Sequence, residues 1–289
     1  MKILLTGGTG SIGSAVLQVL IERHHTVFAP GRTAEAIEKL MRAGAVPVAG
    51  DMQNPSDWID LCDRVDGVVH AAAAWGDQMD RIDRQVVEAL LQRLNSGISN
   101  KPFIYTGGCW LYGETGDAIA TEESAYNPLH SFSYAIPTIE LVLSASHVRG
   151  MVIHPAMVYE RDGGVFEHIF DDAKKLGYVR VIGGENVRWP LIHRMDLARL
   201  YALMLERGKQ GDVYNAATNH GEAIGRITRT IATRLGINCD PVVCDTQTAI
   251  TAIGSWAEGY AIDQQMSGDK ARQRLGWCPE IEDVYAEIS

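Results

Sequence analysis

Thr6-Gly7-Gly8-Thr9-Gly10-Ser11-Ile12-Gly13 follows the apolar run Ile3-Leu4-Leu5 and leads directly into Ser14-Ala15-Val16-Leu17-Gln18-Val19-Leu20. A short strand, a glycine turn and an amphipathic helix in that order are what a dinucleotide pyrophosphate requires. Gly7 allows the tight turn, Gly10 lets the backbone approach the phosphates, and Gly13 lets the helix pack closely on the strand. The helix start offers unpaired N–H groups and a partial positive charge to an anion. Gly7, Thr9, Gly10, Ser11, Ile12 and Gly13 are therefore the expected phosphate-binding residues.

Outward from this turn, continuous apolar runs alternate with helical patterns. Strands are expected at Lys2–Thr6, Thr26–Ala29, Val46–Ala49, Gly67–Ala71, Phe103–Thr106, Met151–His154 and Val213–Ala216, and helices at Ala34–Arg42, Ser56–Arg64, Arg81–Leu94 and Thr138–Ser146. Unbroken rather than alternating apolar strands point to a sheet covered on both faces. The fold class is thus α/β, a Rossmann-type doubly wound parallel sheet with right-handed crossovers. Less regular segments after Tyr159 and Ala217 suggest a smaller, interleaved C-terminal substrate lobe. The expected division is 1–157 and 188–217 for the dinucleotide-binding domain, and 158–187 and 218–289 for the lobe.

The 289 residues suffice for this arrangement, and 46% hydrophobic with 21% charged residues is ordinary for a globular protein. A net charge of −10 argues against a nucleic-acid partner. The five cysteines form no CxxC pair, which argues against a disulfide framework or zinc site and for a reduced, cytoplasmic setting. No signal-peptide core or membrane-spanning run is read. No His/Asp/Glu spacing suggests a metal, and a small molecule is the expected partner.

Sites in such sheets lie beyond the carboxyl ends of the strands. After the second strand comes Pro30-Gly31-Arg32-Thr33, without the carboxylate that would bond the ribose of NAD. Arg32 suits the extra phosphate of NADP instead, so NADP(H) is expected ahead of NAD(H). Asp51 and Met52 after the third strand suit the adenine edge. Ala71, Ala72 and Ala73 after the fourth leave room for ribose and phosphate. Trp75, Gly108, Cys109, Trp110, Tyr112 and Trp189 are candidates to line an apolar or aromatic substrate pocket, though aromatics also serve as core. Asp77, Asp80 and Asp83 read as solvated loop carboxylates.

Taken in order, TGGTGSIG, Gly50-Asp51-Met52, His70-Ala71-Ala72, Tyr112-Gly113, the stretch His154-Pro155-Ala156-Met157-Val158-Tyr159, Ile192-His193-Arg194-Met195-Asp196-Leu197-Ala198, Val213-Tyr214-Asn215 and Lys270 to Trp277 resemble the extended short-chain dehydrogenase/reductases of the NAD-dependent epimerase/dehydratase group. The resemblance runs nearly end to end. It implies that Pro155 and Val158 pack near a nicotinamide, that His193 and Asp196 are structural, and that the helix Arg81–Leu94 can serve a homodimer.

The resemblance also implies a Ser or Thr, a Tyr, and a Lys four residues beyond the Tyr. A lysine ammonium lowers the phenol pKa from its reference near ~10. Here, with Tyr134 as the family tyrosine, the lysine position holds Thr138 and the hydroxyl position falls on Gly108. An alignment anchored on Glu140 instead yields Phe132 and Ile136. Tyr134, His154 and Thr106 are the candidate catalytic residues, His154 because imidazole titrates near neutrality. Three functions follow from this pattern: an NADP(H)-dependent oxidoreductase on a small carbonyl or alcohol, a non-redox isomerase, cyclase, epimerase or lyase on the same scaffold, and an NADP-sensing binding protein.

Overall fold

The computed structural model describes residues 1–74, 76, 78–95 and 100–289; the expected Trp75 and Asp77 lie outside the described residues. Seven strands form one sheet: β1 (Lys2–Thr6), β2 (Thr26–Gly31), β3 (Val46–Ala49), β4 (Gly67–His70), β5 (Lys101–Thr106), β6 (Val148–Pro155) and, later in the chain, Val213–Ala216. Their order is Val213–Ala216, β6, β5, β4, β1, β2, β3, with the pairs from β3 through β6 parallel. The order reverses between β1 and β4, and that switch point is where a doubly wound sheet binds its ligand.

All seven expected strands are present, three with the expected bounds and four with ends moved by one to three residues. Three helices relevant to the site are α1 (Ser11–Glu22), α2 (Ala34–Arg42) and α3 (Met79–Asn95). A fourth, α4 (Ala135–Ser144), begins earlier than expected, immediately after Tyr134. The helix expected at Ser56–Arg64 is instead two 3₁₀ turns, Pro55–Asp57 and Ile59–Asp63. Trp58 interrupts them at φ −136°, its ring buried and its Nε1 donating to the Asp51 carbonyl at 2.9 Å. Anchoring that indole outweighs the helical preference of the neighbouring residues.

The chain packs as two units. The first comprises Met1–Gly107, Tyr134–His154 and Leu197–Tyr214; the second comprises Gly108–Ser133, Pro155–Asp196 and Asn215–Ser289. Residues 108–133 and 188–196 belong to the second unit, whereas the sequence reading assigned them to the dinucleotide-binding domain. Backbone bonds explain the first segment: Thr115 N donates to Asp263 O at 3.1 Å, and Ala120 N donates to Gln265 O at 2.9 Å. The second unit holds a four-stranded sheet in the order Asn219–Ala223, Arg188–His193, Met157–Glu160, Gly163–Gly164. Among the described residues no helix is long and apolar enough to cross a membrane.

Candidate functional site

The glycine turn is a cradle that only glycine can form. Gly7 has φ +77°, and a Cβ there would lie 2.6 Å from the Ala71 carbonyl oxygen; a Cβ on Gly13 would lie 2.1 Å from the Gly7 oxygen. These approaches seat the β1 turn against the residues following β4 and bring α1 down onto the turn. Gly10, the N-cap of α1, is exposed and supplies no side-chain cap, and the first turn of α1 carries no acidic residue. The leading N–H groups of a twelve-residue helix are thus left to an anion.

Arg32 is exposed just beyond β2, while Thr33 Oγ1 accepts the Ala36 N–H at 3.2 Å to cap α2. From α2, Lys39 Nζ donates to the Thr9 carbonyl at 2.8 Å, adding a second cation beside the phosphate turn. The sequence reading missed Lys39, which looks like an ordinary solvated helix lysine. Asp51 is half-buried in a turn, its Oδ1 accepting the Gln53 N–H at 2.9 Å, with Met52 half-buried beside it. Ala71 and Ala72 are half-buried and Ala73 is exposed. The donor set and the clash-limited cradle fit a dinucleotide phosphate.

Tyr134 is the N-cap residue of α4 and is half-buried. Burial raises its phenol above the ordinary value first, and the Asp83 and Asp80 charges raise it further. One helical turn on, the Thr138 hydroxyl is buried and finds no partner among the described residues. Phe132 lies before α4 and packs on Trp110 at 4.7 Å, so the alternative register leaves its phenyl ring engaged within the second unit.

Thr106 is held in hydrogen bonds, and His154 is fully buried. Thr106 Oγ1 donates to the His70 carbonyl at 2.7 Å and meets Tyr201 Oη at 2.6 Å. His154 is 0% exposed near the end of β6, and loss of solvation pushes its imidazole down to about 3. It is therefore uncharged at neutral pH, with no imidazolium proton to give. The consequence for stability has a definite sign. In the unfolded chain the same imidazole titrates near ~6.5, so on acidification the unfolded state binds the proton first. Stability is expected to decline as pH falls below about 6.5 towards 3, and a folded His154→Gln variant should show a shallower decline in denaturant titrations across that window.

The second unit holds the other expected positions. Pro155 is buried, and Val158 pairs with Ile192. Cys109 is buried, its thiol pushed up to about 12 by desolvation, which disfavours the nucleophilic thiolate. Tyr112 Oη donates to Asn215 Oδ1 at 2.8 Å, and Trp189 Nε1 donates to the Tyr260 carbonyl at 3.0 Å; both side chains are buried. Trp110 remains half-buried, packed over Gly259, where a Cβ would fall 2.4 Å from its ring. Gly108 is half-buried, with nothing within 4 Å of the place a Cβ would occupy. Asp196 accepts the Glu280 and Ile281 N–H groups at 2.8 and 2.9 Å, a structural role.

Residues 3–217 match the NAD dependent epimerase/dehydratase family. The chain belongs to that family. An uncharacterized protein of Saccharomyces cerevisiae, YLL056C, is 30% identical, with 100% of this chain and 99% of the yeast protein covered. Among solved structures, UDP-glucose 4-epimerase of Thermotoga maritima with UDP-glucose superposes with a TM-score of 0.81 at 20% identity, covering 99% of this chain and 96% of that one. The human epimerase family protein SDR39U1 with NADPH gives 0.80 at 20% identity, covering 99% and 97%. The glycine turn of the pattern set out above is present, and with Tyr134 taken as its tyrosine the hydroxyl and lysine positions would fall on Gly108 and Thr138.

One set of residues in the first unit emerges only from the fold. Thr6, His70 and Tyr105 are in register across β1, β4 and β5. Thr6 Oγ1 lies 2.7 Å from His70 Nδ1, His70 Nε2 lies 3.2 Å from Asp83 Oδ1, and Tyr105 Oη donates to Asp83 Oδ2 at 2.8 Å. All four are buried. Asp83, which reads as a solvated carboxylate in the sequence, is the acceptor at the centre of this network.

Proposed function

We propose that the chain is an NADP(H)-dependent reductase of a small carbonyl compound in which Tyr134 is the proton donor. The observation carrying this reading is a phenol at the start of α4, held in its neutral form, in the same unit as a phosphate cradle. Gly7 to Gly13 would hold the pyrophosphate on the α1 N–H groups, and Arg32 with Lys39 would favour the additional phosphate of NADP. A nicotinamide nucleotide, when bound, supplies hydride. Tyr134 gives its proton to the substrate oxygen as the carbonyl carbon takes that hydride, and the phenolate regains a proton from water. A neutral phenol suits this direction, since the nascent alkoxide is far more basic than tyrosinate. NADPH bound to the human relative agrees with the cofactor choice.

The test is NADPH consumption by the purified protein over a panel of aromatic and aliphatic carbonyls. Consumption matched by alcohol formation supports the reading. Tight nucleotide binding with no reduction of any carbonyl overturns it in favour of non-redox chemistry or nucleotide sensing. The cofactor preference has its own test. Arg32→Ala is expected to weaken NADP by about 10–100-fold, the worth of charge-assisted bonds to one phosphate, and to leave NAD binding unchanged in calorimetric titrations.

A further inference from the structure

The glycine turn after β1 and the segment after β4 meet backbone to backbone. A Cβ on Gly7 would fall 2.6 Å from the Ala71 carbonyl oxygen and 2.7 Å from Ala72 Cα. Gly7, Ala71 and Ala72 have no polar side chain, so their side chains supply no bond across this seam. The residue immediately before each segment does. Thr6 and His70, each 1% exposed, face one another in the β1–β4 register, and Thr6 Oγ1 lies 2.7 Å from His70 Nδ1. The two walls of the phosphate cradle are thus tied together one residue back from the point where they touch.

His70 is gripped at both ring nitrogens and at its carbonyl. Its Nε2 lies 3.2 Å from Asp83 Oδ1, and its carbonyl accepts from Thr106 Oγ1 at 2.7 Å. Those anchors are themselves fixed. Asp83 Oδ2 accepts the Tyr105 hydroxyl at 2.8 Å, and Thr106 Oγ1 meets Tyr201 Oη at 2.6 Å. The imidazole cannot turn without giving up two buried hydrogen bonds, each costly to leave unmade. A binding site keeps its geometry when the residues beneath it are locked in this way.

We propose that Thr6 and His70 are positioning residues for the dinucleotide. Their bond holds the β1 turn at the separation from the β4 segment that lets the pyrophosphate reach the α1 N–H groups. This rests on the reading of the glycine turn as a dinucleotide site and is independent of the role of Tyr134.

Calorimetric titration of the folded protein with NAD and with NADP is the test. Thr6→Val removes the hydroxyl and keeps the branched shape; Thr6→Ala removes it with less bulk and serves where valine is not accommodated. Either is expected to weaken binding about tenfold, the worth of one buried hydrogen bond. The factor should be the same for both dinucleotides, because the pyrophosphate is common to them. Thr6→Ser keeps the hydroxyl and should bind as wild type does. In a His70→Phe background, where the partner nitrogen is already gone, Thr6→Val should cost little more.

A folded hydroxyl-free variant with wild-type affinity, only its denaturant midpoint lowered, overturns the proposal and leaves the bond a matter of stability. A serine variant as weak as the valine one overturns it too, because the methyl group would then be at fault. So do losses that add in the double variant, and so does a loss confined to NADP, which points to the extra phosphate. Wild type that binds neither dinucleotide brings down the nucleotide reading and this proposal together, whereas unchanged affinity in the variants leaves that reading standing.

Discussion

Tyr134→Phe is expected to lower carbonyl reduction by about 10²–10⁴-fold, the usual contribution of a positioned acid. The substitution removes one oxygen from a half-buried ring at a helix N-cap, so the fold and the nucleotide site should be untouched. The split between kinetic parameters is informative. NADPH affinity should match wild type, and the loss should appear in kcat and kcat/KM alike, as for a group acting only in the transition state. His154→Gln, in contrast, should retain most turnover, because a fully buried uncharged imidazole donates no proton at neutral pH. Stopped-flow measurement of NADPH oxidation in both variants distinguishes the two. Equal losses would return His154 to the mechanism.

The second large effect is expected at Gly13. An added methyl would sit 2.1 Å from the Gly7 carbonyl oxygen and 2.6 Å from its carbon, with backbone on both sides. No side chain can rotate aside, so α1 must withdraw from the turn. Overpacking of this kind costs about 1–3 kcal/mol in stability. Nucleotide binding should suffer more, because every N–H at the helix start moves away from the pyrophosphate together. Gly13→Ala is therefore expected to lose dinucleotide binding by at least about 100-fold, the equivalent of one or two charge-assisted hydrogen bonds. Calorimetric titration with NADP checks the affinity, and a denaturant midpoint checks the fold. Gly10→Ala is the control: its nearest neighbour would be 3.4 Å away, an ordinary contact, so the fold should hold.

The architecture was legible because buried strands announce themselves as unbroken apolar runs, and all seven strands of the main sheet did so. The glycine turn was legible for a related reason: its chemistry is local, confined to eight consecutive residues. Where a residue's role depends on distant partners, sequence was a poor guide. Ser56–Arg64 has helical spacing, yet burial of Trp58 against the Asp51 carbonyl breaks it into two tight turns. Asp80 and Asp83 read as solvated loop carboxylates, and only the registration of three strands with α3 reveals that Asp83 is interior. Cys109, Tyr112 and Trp189 carry side chains suited to a pocket wall, but each is committed to the interior of its own unit. Lys39 required the fold of α2 over Thr9.

Gly108 has a consequence for how this protein can change. Its backbone is extended, at φ −177° and ψ 161°, a conformation open to any residue. Among the described residues beyond its chain neighbours, nothing lies within 4 Å of the place a Cβ would occupy. Gly108 in this respect differs from Gly7 and Gly13, where backbone blocks an added Cβ. A serine Cβ at this position meets neither a clash nor a forbidden torsion. On the register that puts the family hydroxyl here, a single Gly108→Ser substitution would introduce it without rebuilding the scaffold.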